Sequence, residues 1–344
     1  MVIGNPPYVE YRRVKTEHSI HNFTTHGCGN LYAYVLERCC DIVISNGRLG
    51  QIIPISFTCS RRMSAIRKLI VKVYENFWVS NFAIRPQSLF GGVTQRNTIL
   101  LGYKIVAKHR RIYSTNYLRW YSEGRNALMQ SITYVNITDV VDQLNIIPKI
   151  NILTEDTIIR RVYRDDAKTI AYYELKSSDS LYYHDSGESY WTKTLWEKPK
   201  AYRDGKLVNP SQWFRLDITR EEKSFIYLLL NSNIFYWLWT VITDCRHMTK
   251  SFIRNIPLPT ESNINPELVS SLQSAYQENT ILYEKRPGYK SPEITVHAFK
   301  PILDSIDSYL AKCYGFTDEE LDFIINYDIK YRMGLDYFEE WEEE

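Results

Sequence analysis

The chain has 344 residues, 44% of them hydrophobic and 24% charged, with 42 basic against 40 acidic side chains and a formal net charge of +2. A length of this order supports a large core and two or three domains, and the composition is that of an ordinary soluble protein. The near-balance of charge excludes a global pull toward nucleic acid, so any such attraction has to come from local clusters.

The longest apolar runs, Phe225 to Leu230 and Ile234 to Val241, stop well short of a membrane span, and no membrane partner is expected. The opening Met-Val-Ile-Gly-Asn-Pro-Pro-Tyr has no basic segment followed by an apolar stretch, which predicts no export signal and a cytoplasmic location. Six cysteines (Cys28, Cys39, Cys40, Cys59, Cys245, Cys313) contain no two-residue-spaced pair, so they are read as reduced and structural, with no metal site. The tail Glu339-Glu340-Trp341-Glu342-Glu343-Glu344 concentrates negative charge and leaves the remainder more basic than the total.

Met1 to Gly4 reads as the end of a buried strand. Asn30 is placed to cap a helix carrying Leu31, Tyr34, Val35 and Cys39 at helical spacing. Asn46-Gly47 turns into the apolar, β-branched run Leu49 to Ile55, a buried strand, and Ser60 to Tyr74 returns to helical periodicity through Met63, Ile66, Leu69, Ile70 and Val73. Strands are predicted at Trp78 to Ile84 and Asn97 to Tyr103, with a glycine loop, Leu89 to Val93, between them. Met1 to Lys104 is therefore α/β. From about Asn126 the pattern is mixed, with turns at Asp204-Gly205 and Asn209-Pro210 and one helix predicted from Glu221 to Thr243. The segment after Pro257-Leu258-Pro259 reads as helical, with a capping box formed by Thr317 and Glu320.

The strongest chemical signal is Asn5-Pro6-Pro7-Tyr8 after a short apolar strand. An amine conjugated to an aromatic ring is a poor nucleophile, so an enzyme that alkylates it must take its hydrogens into hydrogen bonds and aim the nitrogen. The Asn5 side-chain oxygen and the Pro6 carbonyl can accept two hydrogens, and Pro6 and Pro7 fix the backbone that presents them. Tyr8 can stack on an extruded base, for roughly 1–3 kcal/mol against an unpairing cost of a few kcal/mol. A plain turn is the competing reading of Asn-Pro-Pro.

Ile3 to Tyr8 resembles motif IV of the gamma-type amino DNA methyltransferases that modify adenine N6. Asn30 to Tyr34, Gly47 to Pro54 and Phe90 to Thr98 resemble that family's next helix, next strand and late base-contacting loop, in the order found in type IIG restriction–modification and phage-exclusion methylases. The resemblance implies catalytic roles for Asn5, Pro6, Pro7 and Tyr8, and makes Phe90 a second wall of a base pocket, although Phe90 is equally readable as core. It also implies an incomplete Rossmann-like methyltransferase sheet (residues 1–125), followed by an α+β target-recognition domain (126–262) and a helical C-terminal segment (263–344).

The family's donor-binding region, a Gly-rich turn with an acidic ribose ligand, precedes motif IV, and only four residues precede Asn5 here. Neither Asn46 to Gly50 nor Phe90 to Gly92 replaces it. S-adenosylmethionine is therefore expected to be bound mainly by a separate or missing N-terminal segment, the natural partner being a second polypeptide that completes the sheet. Alternatively the chain is a truncated product.

Double-stranded DNA is the other expected partner. Tyr190 to Lys193, Lys198 to Arg203, Leu229 to Trp237 and Cys245 to Pro259 resemble the close of a target-recognition domain. Phosphates need Lys and Arg, and base edges need Arg, Asn or Gln. Lys193, Lys198, Lys200, Arg203, Lys206 and Arg246 are the candidates there, with Arg12, Arg13 and Lys15 at the rim of the cleft; a solvated face is the rival reading. Phe235, Tyr236, Trp237 and Trp239 are read as core, and His247 as a polar contact. Three functions compete: an adenine-N6 methyltransferase component, a catalytically inactive DNA-specificity subunit, and a protein-glutamine methyltransferase, disfavoured by the length after the sheet. Cytosine N4 remains chemically open as the methylated atom.

Overall fold

The computed structural model describes residues 1–17, 19–105, 110–174, 179–186, 190–260 and 265–334; the acidic tail from Glu339 lies outside them. Two compact units are present, Met1–Asp156 with Thr240–Asp244, and Thr157–Trp239 with Cys245–Glu344.

The first unit is a six-stranded mixed sheet. Its strands are β1 (Val2–Gly4), β2 (Gly47–Pro54), β3 (Asn76–Phe82), β4 (Asn97–Lys104), β5 (Arg111–Leu118) and β6 (Val135–Asn136), arranged in the order β1-β2-β4-β3-β5-β6. β1 pairs parallel with β2, while β4 runs antiparallel to both β2 and β3. The helices are α1 (Leu31–Ile42), α2 (Ser56–Cys59), α3 (Ser64–Val73), α4 (Arg125–Gln130) and α5 (Thr138–Leu144). Asn30 caps α1, its side chain accepting from the Tyr32 N–H at 3.4 Å.

Alternation along the strands separates the two faces of the sheet. Leu49, Ile53, Phe77, Val79, Leu100 and Ile112 point to one side and are at most 2% exposed. That side is close-packed: Gly102 lies against the Tyr74 ring, where a Cβ would come within 2.8 Å of a ring carbon. The opposite face is covered only in part. Phe82, Leu89, Leu118 and Trp120 form a buried cluster there, with Ile52, Phe90, Ile99, Leu128 and Ile132 against it. Beyond that cluster, Ile3, Gly50, Leu101, Trp78 and Tyr113 stand opposite one another across five strands. In this row Ile3 is 71% and Leu101 43% exposed. The strand expected to be buried at Met1 to Gly4 is thus an edge strand with an exposed apolar residue at its centre, because no further strand or helix of the described residues lies on that side.

Lys149 is fully buried, and its ammonium donates to the Val241 and Thr243 carbonyls, satisfying backbone acceptors at a helix C-terminus, where positive charge is favoured. The chain passes into the second unit within α6 (Leu153–Val162).

The second unit has a three-stranded antiparallel sheet, β7 (Ser180–His184), β8 (Thr194–Leu195) and β11 (Trp213–Asp217), ordered β11-β7-β8. A four-stranded sheet joins β9 (Ala201–Arg203), β10 (Lys206–Val208), β12 (Thr280–Arg286) and β13 (Tyr289–Ile294) in the order β10-β9-β13-β12. The hairpin β12–β13 stands alongside the helices of the C-terminal segment, an element the helical reading did not contain.

The core of this unit is formed by α7 (Arg220–Asn231) and α8 (Asn233–Ile242). No residue in Phe225 to Leu230 or Ile234 to Trp239 is more than 1% exposed, so the aromatics Phe235, Tyr236, Trp237 and Trp239 are core, as expected. The single helix predicted over Glu221 to Thr243 is instead two helices bent by 68°. The cause is local and then tertiary. Ser232 Oγ accepts from the Phe235 N–H, and Asp307 accepts from the Asn233 and Ile234 N–H groups, so free donors of a new helix start are satisfied in mid-run. Among the described residues no single helix is long and apolar enough to cross a membrane.

Beyond α9 (Lys250–Arg254), the remaining α-helices are α10 (Pro266–Glu278), α11 (Lys300–Tyr314), α12 (Asp318–Asn326) and the short α13 (Ile329–Arg332). The predicted capping box is present at the start of α12, with Thr317 and Glu320 bonded reciprocally. Asp307 lies on α11, is completely buried, and also accepts from Asn233 Nδ2 at 2.6 Å. Asp307→Ala removes three hydrogen bonds and is expected to lower stability by about 2–4 kcal/mol, read from the denaturant midpoint; a loss below 1 kcal/mol would contradict the role given to it here.

Candidate active site and DNA interface

Asn5 follows directly on β1, whose parallel pairing with β2 sets the motif beside Ile52 at the carboxyl ends of both strands. Asn5 and Pro7 are exposed, Pro6 is buried and Tyr8 is half-buried. The Tyr8 hydroxyl donates to Asn5 Oδ1 at 2.6 Å and lies 3.0 Å from the Ile52 carbonyl. One hydroxyl carries one hydrogen, so the two acceptors share it. The bond turns the oxygen end of the Asn5 amide toward Tyr8 and leaves that oxygen a second lone pair. Burial pushes the Tyr8 phenol up to about 12, which keeps it a neutral donor. Its ring meets Tyr32 of α1 edge-on, with centroids 6.4 Å apart.

The segment after the motif is stapled down by charge. Glu10 accepts from Arg62 NH2 at 2.6 Å and from Asn30 Nδ2 at 3.2 Å, while Arg62 Nε donates to the Cys28 carbonyl. Glu37 of α1 accepts from both the backbone and the hydroxyls of Thr24 and Thr25, and these four hydrogen bonds hold its carboxyl below the ordinary range despite burial. Sequence reading missed Glu10, Arg62 and Glu37, whose partners lie 12 to 52 residues away. Arg12, Arg13 and Lys15 follow the motif as exposed cations.

Phe90 packs against the Phe82, Leu89, Leu118 and Trp120 cluster, its other side partly open. Nearby in the sheet, Asn97 pairs in register with Pro54 and Phe82 and is 1% exposed, yet neither polar atom of its amide meets a partner among the described residues. Leaving such a group unpaired costs about 1–3 kcal/mol, so it marks a place where a polar ligand or water would be stabilised.

In the second unit, Lys193 is partly buried beside His184, Lys198 donates to Asn209 Oδ1, and Lys200 and Lys206 are exposed. Arg203 lies over the Tyr289 ring, 5.7 Å from its centroid. Arg246 is exposed, and the neighbouring His247 faces Asp185 at 3.3 Å. Lys198 and Lys200 line a cavity of about 640 Å³ with Trp196, Tyr227, Gln273 and Leu282. The structure thus gathers Lys193, Arg203 and Lys206 near the four-stranded sheet and adds Lys285, Arg286 and Tyr289, none of which the sequence reading picked out.

The turns after the parallel strands β1 and β2 differ from the glycine-rich donor turn that the resemblance implies. The parallel strands β1 and β2 open into Asn-Pro-Pro and Pro54-Ile55-Ser56, and neither is a glycine-rich turn with an acid beyond it. The described residues hold no cluster of three or more metal-ligating side chains.

Residues 1–85 match the family described as Eco57I restriction-modification methylase. The first quarter of the chain is thus a restriction-modification methylase match. No curated protein matches. Among solved structures, the chain is similar to the Type IIL restriction-modification enzyme MmeI in complex with DNA, at 11% identity and a TM-score of 0.46, over 96% of this chain and 56% of that one. It is also similar to the ATP-dependent Type ISP enzyme LlaBIII bound to DNA, at 11% identity and a TM-score of 0.39 over 96% of this chain and 36% of that one. A third likeness, to a DrdV–DNA complex, has 17% identity and a TM-score of 0.30 over 39% of this chain and 17% of that one. The chain spans less than two thirds of each of these proteins.

His184 offers a pH test of the second unit. Burial, with Lys193 beside it, pushes its imidazole down to about 4. Unfolding then takes up a proton between that value and the free value of about 6.5, so His184 stabilises the fold above pH 6.5 and loses this effect as pH falls toward 4. His184→Gln is expected to flatten that part of the stability profile by up to about 3 kcal/mol; an unchanged profile would mean the ring is solvated.

Proposed function

We propose that this chain is a component of a site-specific DNA adenine-N6 methyltransferase of a restriction-modification or phage-defence system. The observation that carries the reading is the exposed Asn5 amide, oriented by Tyr8 at the end of β1, within the stretch that matches the methylase family. Asn5 Oδ1, through its remaining lone pair, and the Pro6 carbonyl accept the two hydrogens of an extruded adenine amine. This leaves the nitrogen lone pair free to face the donor, and the prolines hold the acceptors without reorganisation. The Tyr8 ring forms one wall for the base, and its hydroxyl keeps the Asn5 amide from flipping. The second unit reads the duplex through its cations.

S-adenosylmethionine, the methyl source in this reading, is bound mainly by a polypeptide or segment distinct from the residues described. The support is physical: among the described residues β1 is the edge strand of its sheet, and the Ile3 to Tyr113 row offers an apolar face of the kind another element covers. We expect the site to act in the cytoplasm, where host DNA lies. A specificity subunit that binds DNA without methylating it is the second reading, favoured only by the turns after β1 and β2, which among the described residues are not glycine-rich.

The test is to produce the chain together with the product of its upstream reading frame and map modified bases in host DNA. Methylated adenine in one sequence context is expected, abolished by Asn5→Ala. Tyr8→Phe keeps the wall but loses the orienting bond, so about tenfold slower methylation is expected, equivalent to about 1.4 kcal/mol. Methylation that survives Asn5→Ala would remove the catalytic assignment, and sequence-specific binding with no methylation would favour the specificity subunit.

A further inference from the structure

Two hairpin turns of the second unit lie side by side. The first, Arg203-Asp204-Gly205-Lys206, joins β9 to β10; the second, Arg286-Pro287-Gly288-Tyr289, joins β12 to β13. A backbone bond from Asp204 N to the Gly288 carbonyl at 2.8 Å ties one turn to the other. Gly288 has φ +74°, and a Cβ there would lie 2.2 Å from Asp204 Oδ1, so this close approach requires glycine.

The joined turns concentrate positive charge. Arg203 and Arg286 sit 5.7 and 5.2 Å from the centroid of the same ring, Tyr289. That ring is 4% exposed and anchored through its hydroxyl, 3.1 Å from both the backbone nitrogen and the Oγ of Ser211. Among the described residues neither guanidinium has a carboxylate partner. Lys206 and Lys285 flank them, both exposed. Of the acids in and beside the two turns, Asp204 has its carboxylate beside Gly288, and Glu284 accepts from the Gly288 N–H and faces Lys290 at 3.9 Å. Two guanidinium groups on one buried ring repel each other unless an anion comes between or beside them. Stacking also pre-orders them, so less side-chain entropy is lost when they bind one.

We propose that the paired turns form a duplex-gripping tip in which Arg203 and Arg286, with Lys206 and Lys285, hold backbone phosphates of double-stranded DNA. This rests on the DNA-methyltransferase reading and extends its DNA surface into the C-terminal segment. A two-stranded ribbon is narrow enough to follow a groove, and a group of four cations on adjoining turns suits consecutive phosphates. Interactions of this kind position the protein without reading sequence.

The test measures binding of the full chain to a fluorescein-labelled duplex of random sequence at several salt concentrations. Arg203→Ala with Arg286→Ala is expected to lower affinity at least about tenfold at low salt and to reduce the slope of log K against log salt by about 2, close to 0.9 for each phosphate no longer neutralised. Arg203→Lys with Arg286→Lys keeps the charge and should restore most of the slope. Lys206→Ala with Lys285→Ala alters exposed residues only, and serves as a second variant should the arginine pair prove necessary for folding; a smaller loss in the same direction is expected. Wild-type slope and affinity in both alanine variants would overturn the tip while leaving the methyltransferase reading intact. A wild-type chain with no affinity for any duplex would sink the DNA reading itself.

Discussion

One hydroxyl holds the account together. Tyr8 shares its hydrogen between Asn5 Oδ1, in the motif, and the Ile52 carbonyl, on the neighbouring strand. This cross-link binds the motif, with Asn5 and Pro7 exposed, to the sheet. It also fixes the oxygen end of the Asn5 amide on the Tyr8 side, since an amide turned the other way would put its hydrogens against the hydroxyl's own. A charged network built from Glu10, Arg62 and Asn30 braces the chain that follows, and the Glu37 hydrogen bonds brace the loop before α1.

The second constraint is surface left uncovered. One face of the sheet is packed to the last atom at Gly102, while the other, only partly covered by the described residues, shows Ile3 and Leu101 to solvent. Covering that face would remove apolar area from water at about 25 cal/mol per Å², a driving force for association that requires no new chemistry at the motif. Ile3 sits at the centre of β1 and Asn5 directly follows that strand, so the exposed apolar row and the motif adjoin.

Much of this was legible in the sequence, for definable reasons. Alternation and helical spacing located β2, α3, β3 and β4, because burial of one face enforces those periods, and Asn30 and Thr317 announced their helices through local hydrogen bonds. The motif stood out in the sequence because Asn-Pro-Pro-Tyr directly follows a short apolar strand, although Asn-Pro-Pro alone reads equally as a turn. The break at Ser232 was not, since its cause includes Asp307, 74 residues away. The β12–β13 hairpin escaped for another reason. Ile281, Leu282 and Tyr283 are all at least 50% exposed on an edge strand, so no alternation betrays them. Pairing of Arg203 and Arg286 on Tyr289 is a tertiary fact with no local signature.

The most direct measurement is a structure of the chain, with whatever polypeptide completes it, bound to a duplex carrying the methylated sequence. The account predicts an adenine turned out of the helix, its amine bonded to Asn5 Oδ1 and the Pro6 carbonyl, with the Tyr8 hydroxyl still on Asn5. A target base left stacked in the duplex, or an extruded base held elsewhere with Asn5 unengaged, would contradict it.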